Sequence, residues 1–192
     1  MIKKIFIPGS FSPFHDGLYS LIKNFINEPN TEINIILSNK DRDNVNTLDV
    51  FNFIKYIFKN NNNINVIISN ISPIKYIYEN TTEDPNIVYY MIRSSKNSDD
   101  FIVNEYIKNF SESGKFFNEN INVDKLNETY NPIKYKNIHN NDFISGTLIR
   151  DDIKNKNWKN FKQGYINLLN DNKISIYKLK KFYNKLINTS NI

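Results

Sequence analysis

Residues 5–18 read IFIPGSFSPFHDGL, and this stretch decides the fold. Its apolar start predicts a β-strand, the Pro- and Gly-containing segment predicts a tight loop, and the run that begins at Leu18 predicts an amphipathic helix. In such a unit Gly9 lets the backbone pass close to a ligand, and the helix N-terminus offers N–H groups to an anion. The stretch therefore predicts an α/β protein with the main features of a phosphate-binding site. His15 lies where the helix opens, and Gly17 leaves room for a bulky ligand beside the first turn.

Strands and helices continue to alternate along the chain. Apolar runs at 33–37, 64–69 and 87–92 predict three more strands, and a weaker alternation at 132–138 predicts a fifth. Repeated strand–helix units require a parallel sheet with right-handed crossovers. We therefore predict an α/β, Rossmann-like three-layer sandwich with a mostly parallel five-stranded sheet and a C-terminal helical extension. Helices are predicted, from apolar residues at helical spacing, over residues 18–26, 48–58, 73–78, 100–110, 144–150, 158–169 and 176–187.

The composition narrows the class of protein. A chain of 192 residues is long enough to bury its own core, and the absence of cysteine excludes disulfides, thiolate metal sites and thiol catalysis. No apolar run is long enough to span a bilayer, so we expect a cytoplasmic protein without membrane contact. The formal charge of +5 is uneven. Residues 150–192 hold ten Lys or Arg against three Asp, a net charge of +7, which is most often a solvated helix face.

A second polar motif lies far downstream, where residues 144–150 read ISGTLIR. Ser145 and Thr147 place two hydroxyls at a predicted helix start, and Arg150 follows one turn later. This arrangement suits the oxygens of a triphosphate. By itself the pattern is weak, because a helix cap explains both hydroxyls and a surface charge explains the arginine.

The two motifs together resemble a known superfamily. Residues 9–18 resemble the G-x-F-x-P-x-H-x-G-H loop of the nucleotidyltransferases that include cytidylyltransferases, nicotinamide-mononucleotide adenylyltransferases and phosphopantetheine adenylyltransferases, with Leu18 in place of the second histidine. Residues 144–150 resemble the I-S-S-T-x-I-R motif of the same superfamily, with Gly146 in place of the second serine. The motifs occur in the order of that superfamily. On this resemblance, residues 1–155 form the nucleotidyltransferase domain and residues 156–192 form a basic helical extension packed on it.

The resemblance implies a reaction and a set of residues. It implies transfer of AMP or CMP from ATP or CTP to a phosphorylated small-molecule acceptor, by in-line attack on the α-phosphate with release of pyrophosphate. Ser10, His15 and Lys40 are implied as catalytic groups that bind the reacting phosphates. Mg²⁺ is implied as a cofactor held mainly through the nucleotide phosphates, with no protein ligand. The implied nucleotide-binding residues are Gly9, Ser10, Phe11, His15, Gly17, Arg93, Ser145, Gly146, Thr147 and Arg150.

Leu18 leaves an alternative open. Two histidines three residues apart at a helix start face the same way and can hold one phosphate, but leucine cannot donate a hydrogen bond. Tyr19 could supply a hydroxyl, although packing is the favoured role for its ring. The alternative function is a degenerate member that binds nucleotide without turnover. Nucleic acid is not expected as a partner, and a homo-oligomer is left open.

Three further positions carry weaker patterns. Arg93 opens a stretch that resembles the R-G-x-R-x-x-x-D-F segment of phosphopantetheine adenylyltransferases, but a basic loop before a capped helix explains it equally well. Lys40 follows the second predicted strand, where related enzymes place a lysine on substrate phosphate. His139 is expected to be an exposed loop residue. The sequence therefore predicts neither the base nor the acceptor.

Overall fold

The structure is a computed structural model that describes residues 1–43, 45–92, 108–109, 112–122 and 144–189. Two compact units share the chain. Unit 1 comprises residues 1–9, 25–38 and 62–131, and unit 2 comprises residues 10–24, 39–61 and 132–192. The elements in chain order are β1 (Ile2–Gly9), α1 (Asp16–Lys23), β2 (Thr31–Ser38), α2 (Thr47–Ile57), β3 (Ile64–Ser69), α3 (Pro73–Glu79), β4 (Ile87–Met91), β5 (Ile121–Asn122), α4 (Gly146–Lys154), α5 (Trp158–Gln163), α6 (Ile166–Asn170) and α7 (Ile176–Thr189).

Unit 1 is a parallel sheet with the order β3-β2-β1-β4-β5, accompanied by α3. The predicted α/β class and the parallel direction of the strands are confirmed. Strand order reverses next to β1, because β2 lies on one side of β1 and β4 lies on the other. In open parallel sheets, ligands bind next to such a reversal, in the loops at the carboxyl ends of the strands. The segment after β1 is the one that begins the first motif.

The prediction of five full strands is wrong in part. Four strands have five residues or more, and the fifth position beside β4 is taken by only two residues, β5. The predicted strand at 132–138 lies outside the described residues. A two-residue strand that pairs with Tyr89 and Tyr90 carries no alternation of polar and apolar residues, so no periodicity could reveal it.

Both faces of the central strands are buried, as a parallel sheet requires. On one face, Phe6 of β1 stacks on Tyr89 of β4 with the rings 8° from parallel. Ile36, Ile77 and Met91 complete this cluster. On the other face β1 and β2 bury isoleucine and leucine side chains. The near-continuous apolar runs of the sequence therefore reflect strands that are covered on both sides.

Unit 2 is helical and has an aromatic core. Phe53 of α2 stacks on Phe182 of α7 with ring centroids 3.9 Å apart and the rings 3° from parallel. Phe161 lies 4.7 Å from both Tyr165 and Tyr183 between ring centroids. These contacts hold the C-terminal helices together. No helix in the described parts of the chain has the length and hydropathy that a membrane span needs.

The predicted helix over 158–169 is two helices, α5 and α6. The break falls at Gly164, where a Cβ atom would lie 2.3 Å from the Ile149 side chain. The backbone oxygen of Gly164 accepts a hydrogen bond from the N–H of Asp16 at 2.9 Å. A contact with a residue so distant in sequence is invisible to helical periodicity, which is why the sequence predicted one continuous helix.

Candidate functional site

The first motif starts α1, and His15 is its N-cap residue. The Nδ1 atom of His15 accepts the N–H of Gly17 at 3.2 Å, and the imidazole is only 5% exposed. This hydrogen bond fixes the neutral ring in the tautomer that carries its proton on Nε2. His15 therefore builds the start of the helix and presents Nε2 as a donor in the neutral form.

The first three backbone N–H groups of α1 all have partners within unit 2. The N–H of Asp16 donates to the Gly164 carbonyl at 2.9 Å, that of Gly17 donates to His15 Nδ1, and that of Leu18 donates to the His15 carbonyl at 3.0 Å. The expectation that this helix N-terminus offers unpaired donors to an anion is therefore wrong. The donors at the start of α1 are used to hold the chain in place.

Asp16 ties the first motif to the C-terminal helices. Its carboxylate accepts the N–H groups of Asn167 at 2.6 Å and Leu168 at 3.1 Å, in the first turn of α6. Burial raises the pKa of Asp16 to about 7, although these two hydrogen bonds oppose the change. No pattern in the sequence assigned a role to Asp16. An acidic residue in the first turn of a helix was the only signal, and it explains helix stability alone.

Glycine is needed at position 17 because other atoms of the protein fill the space that a side chain would take. A Cβ atom on Gly17 would lie 2.9 Å from Cγ2 of Ile144 and 3.1 Å from the His15 ring. The expected room for a ligand is thus filled by a residue of the second motif. The two motifs, 127 positions apart between these residues, lie against each other in unit 2.

The second motif starts α4, and its N-terminus differs from that of α1. Ser145 is the N-cap residue, and its Oγ accepts the N–H of Leu148 at 3.3 Å. The hydrogen bonds of the described residues include none from the N–H groups of Gly146 and Thr147. Two backbone donors thus remain at the positive end of a nine-residue helix. The anion site outlined by the sequence fits the start of α4 better than the start of α1.

Arg150 joins the two motifs directly. Its Nη1 donates to the backbone oxygen of Ser12 at 2.7 Å, and its Nη2 donates to Thr147 Oγ1 at 3.1 Å. Gly146 makes this possible, because a Cβ there would lie 3.1 Å from both Nη1 and the Ser12 oxygen. The departure from the second serine of the family motif thus leaves space for the guanidinium.

The loop after β2 reaches the same place. Asp43 forms an ion pair with Nε of Arg150, whose side chain is 12% exposed. Burial and the nearby Arg42 lower the pKa of Arg150, while Asp43 acts in the opposite direction. Lys40 is exposed and lies three residues before Asp43. Asp43 was missed at the sequence level, because nothing in its neighbourhood distinguishes it from a loop carboxylate.

The remaining residues that were predicted to form the site differ in burial. Phe11 is buried and has a left-handed backbone with φ of 49°, while Ser10 is half-buried and accepts the Ser12 hydroxyl on its backbone oxygen at 3.0 Å. Gly9 is the last residue of β1, within unit 1. Leu18 is half-buried in the first turn of α1. Arg93 and His139 lie outside the described residues.

Tyr19 packs, as the sequence analysis favoured. Its ring is buried, and its hydroxyl donates to Asp171 Oδ2 at 2.8 Å. Lys23 contacts the same carboxylate at 2.6 Å, and these two donors lower the pKa of Asp171. Burial and Asp171 raise the pKa of Tyr19. The hydroxyl is therefore occupied within unit 2 and does not replace the donor missing at Leu18.

The described arrangement can bind an anion of several oxygens. Arg150 has five N–H groups, of which three contact Ser12, Thr147 and Asp43, so two remain beside the backbone donors at the start of α4. Within the described residues no group of three or more His, Asp or Glu side chains is placed to hold a metal ion.

Comparison with known protein families and a search of curated proteins both returned no match to this chain.

Proposed function

We propose that this protein is a nucleotidyltransferase, which transfers AMP or CMP from ATP or CTP to a phosphorylated small-molecule acceptor and releases pyrophosphate. The observation that carries the proposal is the meeting of the two motifs at Arg150, beside the N–H groups of Gly146 and Thr147, which donate to no group in the described part of the chain. Backbone donors at a helix start and a guanidinium together suit the charge and geometry of phosphate oxygens.

Each residue then has a role that its position supports. Thr147, Arg150 and the backbone donors of α4 hold the β- and γ-phosphates, and Ser145 fixes the first turn through its cap. His15, Ser10 and Lys40 bind the reacting phosphates, as the resemblance implies. Positioning and stabilising charge supply the catalysis, because attack by the acceptor phosphate requires no protein nucleophile. Mg²⁺ would enter on the nucleotide phosphates, and no residue of this chain is assigned as its ligand.

Pyrophosphate release tests this function. Purified protein is incubated with Mg²⁺, ATP or CTP, and a panel of phosphorylated acceptors. We expect turnover with one pair and loss of nucleotide binding in Arg150→Gln. Lys154→Gln is the matched control, because it removes one positive charge from the exposed end of the same helix. Equal nucleotide binding by the two variants would contradict the placement of the phosphates at α4.

The alternative is a degenerate member that binds nucleotide without turnover, and a specific observation favours it. The Nδ1 atom of His15 caps α1, and residue 18 is leucine. Loss of one preorganised donor typically lowers a rate by about 10²–10³-fold. Leu18→His should therefore raise turnover in a weakened enzyme. Nucleotide binding with no turnover in either the parent or Leu18→His would favour the binding role.

A further inference from the structure

Backbone hydrogen bonds hold the residues on either side of Asp43 and its neighbour in the chain. Arg42 and Val45 exchange two backbone hydrogen bonds, at 3.3 and 2.9 Å, and Val45 is buried. Asp43 follows Arg42 with a φ of 49°, the left-handed region that Asp tolerates better than most residues. The anchored turn therefore presents the Asp43 carboxylate from a fixed base.

The same loop is fastened to the start of α2. The carboxylate of Asp41 accepts the backbone N–H of Thr47 at 2.7 Å and the side-chain N–H of Asn46 at 3.1 Å. These bonds restrict how far the turn can move. Because Asp43 is tethered next to Arg150, it competes for the guanidinium as an intramolecular ligand, with the effective concentration that a short tether provides.

The two partners of this ion pair differ in burial. The Arg150 side chain is 12% exposed, whereas the Asp43 side chain is 62% exposed. Asp43 can thus move into water at little cost, while Arg150 stays held by Ser12 and Thr147. Arg42 adds a second positive charge near Arg150. When the carboxylate leaves, the site keeps two guanidinium groups and attracts an anion.

We propose that Asp43 occupies on Arg150 the position that a phosphate group takes, so that binding of a polyphosphate displaces the carboxylate. This inference rests on the proposed function, because it assumes the phosphate site at the start of α4. The displaced carboxylate weakens polyphosphate binding by the free energy of the Asp43–Arg150 pair. It also couples occupation of α4 to the position of the loop that contains Lys40.

Titration calorimetry with sodium tripolyphosphate tests the inference. The variants are Asp43→Asn and Asp43→Gly, which both tolerate a positive φ, and Asp49→Asn as control. Asp49 pairs with Lys185 in unit 2, so this control removes the same charge away from Arg150. We expect both Asp43 variants to bind about three- to tenfold more tightly than Asp49→Asn, in line with an ion pair that is exposed on one side. Thermal melting confirms that each variant is folded.

The outcomes distinguish the displacement of Asp43 from the proposed phosphate site. Binding by the parent protein that neither Asp43 variant tightens beyond Asp49→Asn overturns the displacement of Asp43 and leaves the phosphate site standing. Absence of binding in every folded variant overturns the phosphate site and this inference together. Tighter binding by the Asp43 variants without nucleotidyl transfer supports the displacement and counts against the proposed function. Arg42→Gln should keep most of the gain from Asp43→Asn, because the Arg42 Nε lies 3.8 Å from Asp43 Oδ2 and both groups of that pair are exposed. A gain that disappears in Arg42→Gln would place the displaced carboxylate on Arg42 and overturn the inference.

Discussion

At the scale of single residues, the site is organised by polar groups that face inward. His15, which the sequence marks as a ligand of phosphate, first caps α1 through Nδ1. Asp16, which the sequence leaves without a role, holds the first turn of α6 through two backbone N–H groups. The first motif therefore has a partly structural role. Its most important structural side chain is that of Asp16, which lies between His15 and Gly17.

Asp16 predicts a dependence of stability on pH. Its pKa is about 7 in the folded protein and near 4 in an unfolded chain, so its contribution to stability is complete below pH 4 and is lost as the pH rises through 7. The free energy of unfolding should fall by up to about 1.4 kcal/mol per pH unit across this window. Urea denaturation between pH 4 and 7 measures this slope.

Two variants show whether the slope belongs to Asp16. Asp16→Asn, which resembles the protonated carboxyl, should remove it. Asp171→Asn should keep most of the slope, because burial is the main cause of the raised pKa of Asp16 and the charge of Asp171 is the smallest. The lowered pKa of Asp171 itself affects stability only as the pH falls below about 4. An unchanged slope in Asp16→Asn would show that another group titrates in this window.

Gly17 predicts a steric coupling between the motifs. Gly17→Ala brings a methyl group against Cγ2 of Ile144 and should lower the free energy of unfolding by about 1–3 kcal/mol. Ile144→Leu removes the β-branch at nearly the same volume, so the cost of Gly17→Ala should shrink in that background. Denaturant unfolding of the four proteins measures the coupling. Additive effects would mean that the two side chains do not limit each other.

At the scale of elements, the start of α4 differs from the start of α7. Ser145 Oγ accepts the N–H of Leu148 at 3.3 Å, and Ser175 Oγ accepts the N–H of Lys178 at 3.2 Å. The two hydroxyls therefore make the same local bond. Of these two helix starts, only that of α4 lies beside Arg150 and Ser12.

This pair gives a matched test of the site. Ser145→Ala and Ser175→Ala should each cost about 1 kcal/mol of stability, because each loses one cap. Only Ser145→Ala should also weaken tripolyphosphate binding, since it loosens the turn that carries the N–H groups of Gly146 and Thr147. Thermal denaturation and calorimetry on both variants make the comparison. Equal loss of binding in the two would place the phosphates elsewhere.

At the scale of the whole molecule, the two units are interleaved in sequence. The chain passes between them after residues 9, 24, 38, 61 and 131, so neither unit is a continuous segment. Unfolding of one unit therefore releases the ends of every segment in the other. We expect a single cooperative transition.

Trp158, the only tryptophan of the chain, makes this testable. Its ring lies 5.2 Å from that of Tyr183 in unit 2, so its fluorescence reports that unit, while far-UV circular dichroism reports the secondary structure of both. The two transitions should have the same midpoint in urea. Two separated midpoints would show that unit 2 unfolds independently.

The sequence predicted the elements better than their long-range contacts. β3 was predicted with its observed bounds, because its isoleucine and valine residues form a short apolar run although it is an edge strand. The break at Gly164 and the role of Asp16 escaped prediction, since each depends on a partner about 150 residues away. Within the site, Arg150 was found through a motif, whereas Asp43 was missed because a loop carboxylate has no pattern. The boundary at 155/156 stays a prediction.

The hydrogen bonds of Asp16 also affect the order in which parts of the chain can fold during synthesis. Asn167, its partner, is added 151 residues later. At typical rates of synthesis this interval is on the order of ten seconds. Throughout it the first motif exists in full, but the groups that hold its helix start have not been made. During synthesis, the start of α1 therefore gains these contacts only after Asn167 has been made, although the first motif is translated 151 residues earlier.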